Sequence, residues 1–348
     1  MSEMENNVMI PEEKAEAVAR ALRQTFGVTD FEDIRVVYGG NKTSRVYRIV
    51  VGRHPYLLRI SMRTDDPTDY FTCMAAAAQA GIAPRVWYTS IEDRLSITDF
   101  IPTAPLPAAT RPVLLAAALR NLHALAPFPP RAAHLNTTCT FLVGEDPAVD
   151  AFLQRFRATE CLPLADRDHL IACCRQLTAA YPVTRPELVS SHNDLYRPDN
   201  ILYDSHRLWL VDWEAAFLND RYADLAVAAN LTVTSESEEE DYLREYFGDA
   251  PTEYQRARFF FTQQLAHVFY AMGYIFLGSL GRPPQPAGEA PELRELYRQM
   301  WAGELNIFDS DTKIACGLAH RQELLRNMQT DRVTRALAVM SANTPSAS

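Results

Sequence analysis

Residues 191–202 read Ser191-His192-Asn193-Asp194-Leu195-Tyr196-Arg197-Pro198-Asp199-Asn200-Ile201-Leu202, and the chain soon continues Leu210-Val211-Asp212-Trp213-Glu214. Between Leu188 and Asp212, short apolar runs alternate with turn formers, so the stretch predicts short strands joined by tight loops. Phosphoryl transfer requires a carboxylate at the attacking hydroxyl and further oxygens that hold Mg²⁺ against the phosphates. An Asp and an Asn on one loop, with an Asp at the end of the next strand, are three such donors placed to converge. A lone His-Asn-Asp triplet arises by chance, and most Asp residues are turn formers or caps. The weight therefore falls on what surrounds the segment.

Upstream, Pro11 to Phe26 carries Ala15, Val18 and Leu22 at helical spacing. Residues 34–37, 45–51 and 56–60 are rich in β-branched and aromatic residues and read as strands. Gly39-Gly40-Asn41 and Gly52-Arg53-His54-Pro55 supply the turns between them. Residues 70–80 read as an Ala-rich helix stopped at Gly81, and 85–89 and 95–99 as two more strands. Five strands with one inserted helix predict a compact lobe over 1–101. The prolines of 102–112 break both ladders and helices and predict a linker. Residues 113–342 read as a mainly helical lobe, with helices over 113–125, 149–159, 166–180, 238–247, 252–277, 291–303 and 313–341, and residues 343–348 as a disordered tail. The fold class is α+β.

The 348 residues suit two lobes, and 47% hydrophobic with 22% charged is ordinary globular composition. A formal charge of −10 offers no basic field to a polyanion, so neither nucleic acid nor a membrane surface is an expected partner. The six cysteines are scattered and the start of the chain is acidic, which points to a reducing, cytoplasmic setting without a zinc or disulfide framework.

The order of Gly-rich turn, strand with a basic residue, linker, His-x-Asp loop and strand-end Asp resembles the aminoglycoside phosphotransferase and choline kinase superfamily, small-molecule relatives of protein kinases. Asn219-Asp220-Arg221-Tyr222-Ala223-Asp224 and Tyr246-Phe247-Gly248 look most like its choline and ethanolamine kinase branch. The resemblance covers roughly residues 30 to 280. It implies a bilobal protein-kinase-like fold that uses ATP and Mg²⁺ to phosphorylate a small-molecule hydroxyl, acting as a monomer or homodimer.

Carried over residue by residue, the resemblance makes Asp194 the catalytic base or hydroxyl-orienting group. His192 braces the loop, and Arg197 is counted with the catalytic residues. Asn200 and Asp212 become metal ligands and Asp224 a structural support. The interval from Asp194 to Asn200 is one residue longer than the family's, so either a bulge absorbs it or Asp199 takes the metal position. Gly39, Gly40, Asn41, Thr43 and Ser44 match the nucleotide loop, where glycines let backbone N–H groups approach phosphate. Arg59 stands where the family anchors phosphate, a task its forked donors suit. Asp69 or Asp66 is its expected acidic partner, and Asp99, Phe100 and Ile101 match the hinge that reads adenine.

Tyr270 and Tyr274, in an aromatic stretch with Phe259-Phe260-Phe261, Phe269 and Phe276, are read either as core or as substrate contacts able to hold an ammonium by cation–π attraction. Glu214 is read either as meeting a substrate cation or as pairing with a neighbouring Arg. The expected acceptor is an amino alcohol such as choline or ethanolamine, and an aminoglycoside, thiamine or sugar is the second expectation. Two rival readings stand beside these: a nucleotide-binding pseudokinase that transfers nothing, and a metal-dependent hydrolase built from the same Asp and His residues.

Overall fold

The alternation of apolar and polar residues in the first third of the chain folds as read. A computed structural model describes residues 10–37, 44–131, 139–143, 146–181, 187–283 and 288–342. In chain order the elements are α1 (Glu12–Phe26), β1 (Asp33–Val36), β2 (Ser44–Val51), β3 (His54–Ser61), α2 (Thr68–Gln79), β4 (Val86–Ser90) and β5 (Leu95–Asp99). Then come α3 (Arg111–His123), α4 (Pro147–Arg157), α5 (Leu164–Ala179), β6 (Leu188–Ser191), β7 (Ile201–Tyr203), β8 (Leu208–Leu210) and β9 (Phe217–Asp220). The chain closes with α6 (Arg221–Thr232), α7 (Glu236–Phe247), α8 (Glu253–Ser279), α9 (Leu293–Trp301), α10 (Ser310–Met328) and α11 (Asp331–Ala342). The chain divides into two compact units, residues 1–106 with 199–216, and residues 107–198 with 217–348.

In the first unit the five strands form an antiparallel sheet in the order β1-β2-β3-β5-β4. Register fixes its two faces: Tyr47 lies opposite Leu58 and Val46 opposite Arg59, while Leu58 lies opposite Ile97 and Arg59 opposite Ser96. With a side-chain period of two, Tyr47, Ile49, Leu58, Ile60, Leu95 and Ile97 share one face and close a core with Val18, Ala21 and Leu22 of α1. Arg59 is thereby turned to the other face, the side that receives α2. At the end of α1, Gly27 takes φ 74° and its N–H donates to the Arg23 carbonyl at 3.0 Å, a left-handed cap that glycine adopts without a Cβ clash.

The hairpin β7–β8 belongs to this first unit, not to the helical lobe expected over 113–342. Backbone bonds explain why: the Leu210 N–H donates to the Ile82 carbonyl at 2.9 Å and the Ala104 N–H to the Tyr203 carbonyl at 2.7 Å. Its turn is held by Asp204, whose carboxylate accepts from the amides of His206 and Arg207 at 2.9 Å and from the Trp209 indole at 2.8 Å. Burial of the carboxylate works against ionisation, but these bonds outweigh it and bring its pKa down to about 2.

The second unit is built around α8. Phe259, Phe260, Phe261, Val268, Phe269 and Phe276 are all buried, so this helix is apolar around most of its circumference, as a central helix must be. Thr252 and Gln255 close a capping box at its start. Helix α10 approaches it closely at two glycines. A Cβ on Gly317 would stand 2.7 Å from Ile275 Cγ1 and 2.9 Å from the Ala271 carbonyl, and one on Gly278 would stand 2.7 Å from Ile314 Cγ1. Strands β6 and β9 pair antiparallel, Ser191 opposite Phe217.

One helix expectation needs correction. The segment expected as one helix over 313–341 starts earlier, at Ser310, and is two helices, because α10 ends at Met328 and α11 begins at Asp331. Helix α6 was not legible from periodicity, since ten of its twelve residues are buried and no polar stripe remains to mark it. The tail 343–348 lies outside the described residues. Among the described residues no helix is long and apolar enough to cross a membrane.

Candidate active site

The first unit assembles a charged cluster around Arg59. Strand β3 delivers its guanidinium to the α2 side of the sheet, where Nη1 donates to Asp212 Oδ1 at 2.9 Å and Nη2 to Ser44 Oγ at 3.2 Å. Nη2 also pairs with Glu214 Oε1, and the guanidinium stands 5.3 Å from the centroid of the Tyr70 ring. Burial opposes the charge, but Tyr70, Asp212 and Glu214 overcome that and hold the pKa of Arg59 above its usual value. Arg63 extends the cluster, donating to Glu214 Oε2 at 3.4 Å and pairing with Asp65.

This geometry corrects the expected ion pair. The carboxylates at Arg59 are Asp212 and Glu214, whereas Asp69 lies exposed in the first turn of α2 and Asp66 accepts from the amide and hydroxyl of Thr68. The β7–β8 hairpin supplies the partners because it packs into the same unit as β3, a long-range arrangement that no local register reveals. Glu214 accordingly pairs with arginines.

Asp212 follows strand β8 at φ 66°, a left-handed conformation uncommon for a residue with a side chain. Behind it, Trp213 is buried and its indole N–H donates to the Leu210 carbonyl at 3.2 Å. The Val211 N–H donates to the Asn200 carbonyl at 3.0 Å, so the two expected metal ligands, Asn200 and Asp212, are held on neighbouring backbone. A carboxylate and a carboxamide are the hard oxygen donors that Mg²⁺ accepts, and Mg²⁺ commonly takes only one or two such groups together with substrate phosphates. The residues fit that ion. Among the described residues no group of three or more His, Cys, Asp or Glu converges to hold a metal.

Of the nucleotide-loop residues, Gly39, Gly40, Asn41 and Thr43 lie outside the described residues, and Ser44 is the one placed at Arg59. At the expected hinge, the Asp99 carboxylate is taken by the Trp87 indole N–H at 2.7 Å, and Phe100 lies 5.5 Å from the Arg48 guanidinium. Ile101 follows the end of β5, outside any strand or helix.

The second unit holds the His-x-Asp loop. Strand β6 ends at Ser191, and Asn193 turns the chain at φ 64°, a conformation that Asn adopts more readily than most residues. The Asp224 carboxylate, from the first turn of α6, accepts both loop amides: His192 N–H to Oδ2 and Asn193 N–H to Oδ1, each at 2.7 Å. His123 Nε2 meets Oδ2 at 3.2 Å, and its Nδ1 meets the Tyr246 hydroxyl at 2.6 Å. With Nε2–H donating to the carboxylate, Nδ1 is left to accept from the tyrosine. Burial alone would push the Asp224 pKa up; the hydrogen bonds it accepts from His123 and from the His192 amide bring it below the ordinary range. The Asn219 amide donates to Asn193 Oδ1 at 2.7 Å and ties the turn to β9. Asp194, next in the chain, stands half-buried at the end of this fixed turn.

Around the loop, Tyr196 lies with its ring centroid 5.2 Å from Tyr270 and 6.0 Å from Tyr274. The Arg197 guanidinium stands 5.0 Å from the Phe308 centroid. Tyr196 and Asn219 entered the sequence reading only as members of longer motifs, and the buried histidines of α8 and α10 did not enter it as site residues, because isolated polar residues in helical patterns carry no local signal.

An antiparallel sheet unit followed by a helical unit, with a His-x-Asp loop anchored on a buried aspartate, is the kinase-like fold. Residues 33–260 match the phosphotransferase enzyme family, designated APH. The chain belongs to that family and is a phosphotransferase with an alcohol group of a small molecule as acceptor. Among solved structures it is similar to a choline/ethanolamine kinase family protein from Mesorhizobium loti, with 20% identity, 94% of this chain and 99% of that one covered, and a TM-score of 0.63. It is also similar to the choline kinase LicA from Streptococcus pneumoniae, at 14% identity, 95% and 100% coverage and a TM-score of 0.54. A third similar structure is the spectinomycin phosphotransferase APH(9)-Ia in complex with ADP and spectinomycin, at 12% identity, 88% and 98% coverage and a TM-score of 0.51. At these identities the likeness is one of fold. A comparison with curated proteins gave no match.

Proposed function

We propose that the protein transfers the γ-phosphoryl group of ATP, with Mg²⁺, to the hydroxyl of a small amino alcohol such as choline or ethanolamine. The observation that carries this reading is the double grip of Asp224 on the His192 and Asn193 amides at 2.7 Å. It fixes the backbone immediately before Asp194, and a fixed carboxylate is what orienting an attacking hydroxyl demands.

In this reading Asp194 orients the acceptor hydroxyl and receives its proton. The acceptor oxygen forms a bond to the γ-phosphorus while the bond from that phosphorus to the bridging oxygen of ADP breaks. Arg59 gathers phosphate oxygens, and its present partners Asp212 and Glu214 keep its charge in place before nucleotide arrives. Asn200 and Asp212 would hold Mg²⁺, which would supply positive charge against the phosphate oxygens. Catalysis is then mainly positioning and electrostatic stabilisation. Asp99 to Ile101 would offer backbone groups to the adenine, since the Asp99 side chain is committed to Trp87. We place the protein in the cytoplasm.

The test is Mg²⁺-dependent ADP release from ATP, measured over choline, ethanolamine, thiamine, aminoglycosides and simple sugars, with Asp194→Ala and Asp212→Asn as controls. Asn is chosen at 212 because it tolerates the left-handed backbone. Acceleration by an amino alcohol that both variants lose is the expected result. Acceleration only by a sugar or an aminoglycoside sinks the acceptor assignment, and full turnover by Asp194→Ala sinks the role of that residue.

A further inference from the structure

The hydroxyls of Tyr270 and Tyr274 have no use in the reaction as described. The two residues sit on successive turns of α8, 5% and 8% exposed, with rings stacked 5.7 Å apart at 22°. Neither phenol oxygen has a hydrogen-bonding partner among the described residues. Burying an unpaired hydroxyl is unfavourable, and phenylalanine would fill nearly the same volume without that cost. Two such hydroxyls side by side are therefore poorly explained by packing and well explained by a ligand that satisfies them.

The surroundings define that ligand. Tyr196, two residues beyond Asp194, covers the ring pair at 5.2 and 6.0 Å, and His320 of α10 lies 5.2 and 6.5 Å from the two rings. His320 brings no positive charge. Its Nδ1 meets His267 Nδ1 at 2.9 Å and its Nε2 meets the Tyr297 hydroxyl at 3.1 Å, and burial keeps both imidazoles neutral. The negative charge of Asp194 does reach Tyr270, adding to burial in raising its pKa. Aromatic walls, two oxygens awaiting donors, neutral imidazoles and a nearby carboxylate suit a cation that carries N–H groups.

We infer that the hydroxyls of Tyr270 and Tyr274 select the acceptor by taking hydrogen bonds from a primary ammonium, so that a primary amino alcohol is preferred over its N-methylated counterpart. The inference rests on the amino-alcohol reading above and sharpens it. A primary ammonium offers three N–H donors, while the ring faces stabilise its charge. A trimethylammonium offers only C–H groups, which leaves both buried oxygens unpaired. Hydroxyl-pairing sites reject ligands that lack the matching group more strongly than apolar pockets reject an extra methyl.

The experiment compares kcat/KM for ethanolamine and for choline in the wild-type enzyme, Tyr270→Phe, Tyr274→Phe and the double variant, with Tm recorded for each. The wild type is expected to favour ethanolamine by about tenfold or more, and each Phe to lower kcat/KM for ethanolamine about tenfold while leaving choline within about twofold. Tm should hold or rise, because no hydrogen bond among the described residues is removed. A wild-type preference for choline, or an equal loss with both acceptors, overturns the inference while leaving the amino-alcohol reading standing. Wild-type enzyme that phosphorylates neither acceptor overturns that reading and the inference with it.

Discussion

Asp212, in the first unit, stands half-buried at a left-handed backbone position with a guanidinium on one oxygen. Asp224, in the second, is fully buried, and its two oxygens are occupied by two backbone amides and a histidine. A carboxylate of the first kind can give up its partner to a cation without stranding that partner, because Glu214 also pairs with Arg59. A carboxylate of the second kind is part of the fold, because removing it strands buried donors. Residue type alone therefore does not separate an aspartate that meets ligands from one that shapes the loop; the partner list does.

Removing Asp224 is expected to have the largest effect. Asp224→Ala is expected to cost about 3–5 kcal/mol of stability, the scale for breaking a buried charge-paired site, read as a lowered midpoint in chemical denaturation. Asp224→Asn keeps the volume but offers one acceptor where two amides need one each, so it should fold, with kcat reduced about a hundredfold and the KM for ATP little changed. An Asp224→Asn enzyme with full kcat would show that the two amide bonds do not position Asp194.

The two aspartates also differ in how far the sequence revealed them. The strands of the first unit were legible because one sheet face is buried and the alternation is clean in Tyr47, Ile49 and Val51 and in Leu58 and Ile60. Arg59 was singled out by resemblance, as the basic residue standing where the family anchors phosphate. Its carboxylate partners were not, since they arrive on a hairpin 153 and 155 residues away in the chain, and local spacing favoured Asp69. In the second unit, resemblance pointed to Asp224, but its helix α6 has no amphipathic stripe to announce it. The pairing of His123 with Tyr246 and Asp224 links three elements that only packing brings together.

Acid is expected to have a smaller effect on the two units, at different pH. His267 and His320 are buried and neutral, with burial bringing the pKa of His267 down to about 3 and holding that of His320 well below its usual value. The unfolded chain binds protons at these positions below about pH 6.5 while the native protein does not. Their contribution is therefore fully present above pH 6.5 and is lost progressively as pH falls toward the folded values. Asp204 in the first unit, lowered to about 2, loses its contribution only at more acid pH, below the ordinary carboxylate range. Between pH 7 and 5 stability should fall on the order of 1–3 kcal/mol, with the His267→Gln, His320→Gln double variant showing a flatter slope. An unchanged slope in that variant would assign the acid sensitivity to other groups.

The smallest expected effect tests the corrected partner of Arg59. Asp69 is exposed in the first turn of α2, where a carboxylate interacts favourably with the helix dipole and little else. Asp69→Asn should change stability by no more than about 0.5 kcal/mol and leave the KM for ATP unaltered. Glu214→Gln at the same guanidinium removes a charge partner that Arg63 also shares. Without that carboxylate Arg59 is less firmly held where phosphate would meet it, so the KM for ATP should move severalfold and kcat less. If instead Asp69→Asn raised the KM for ATP and Glu214→Gln did not, the acidic partner during turnover would be the helix residue, and the pairing around Arg59 would describe only the resting enzyme.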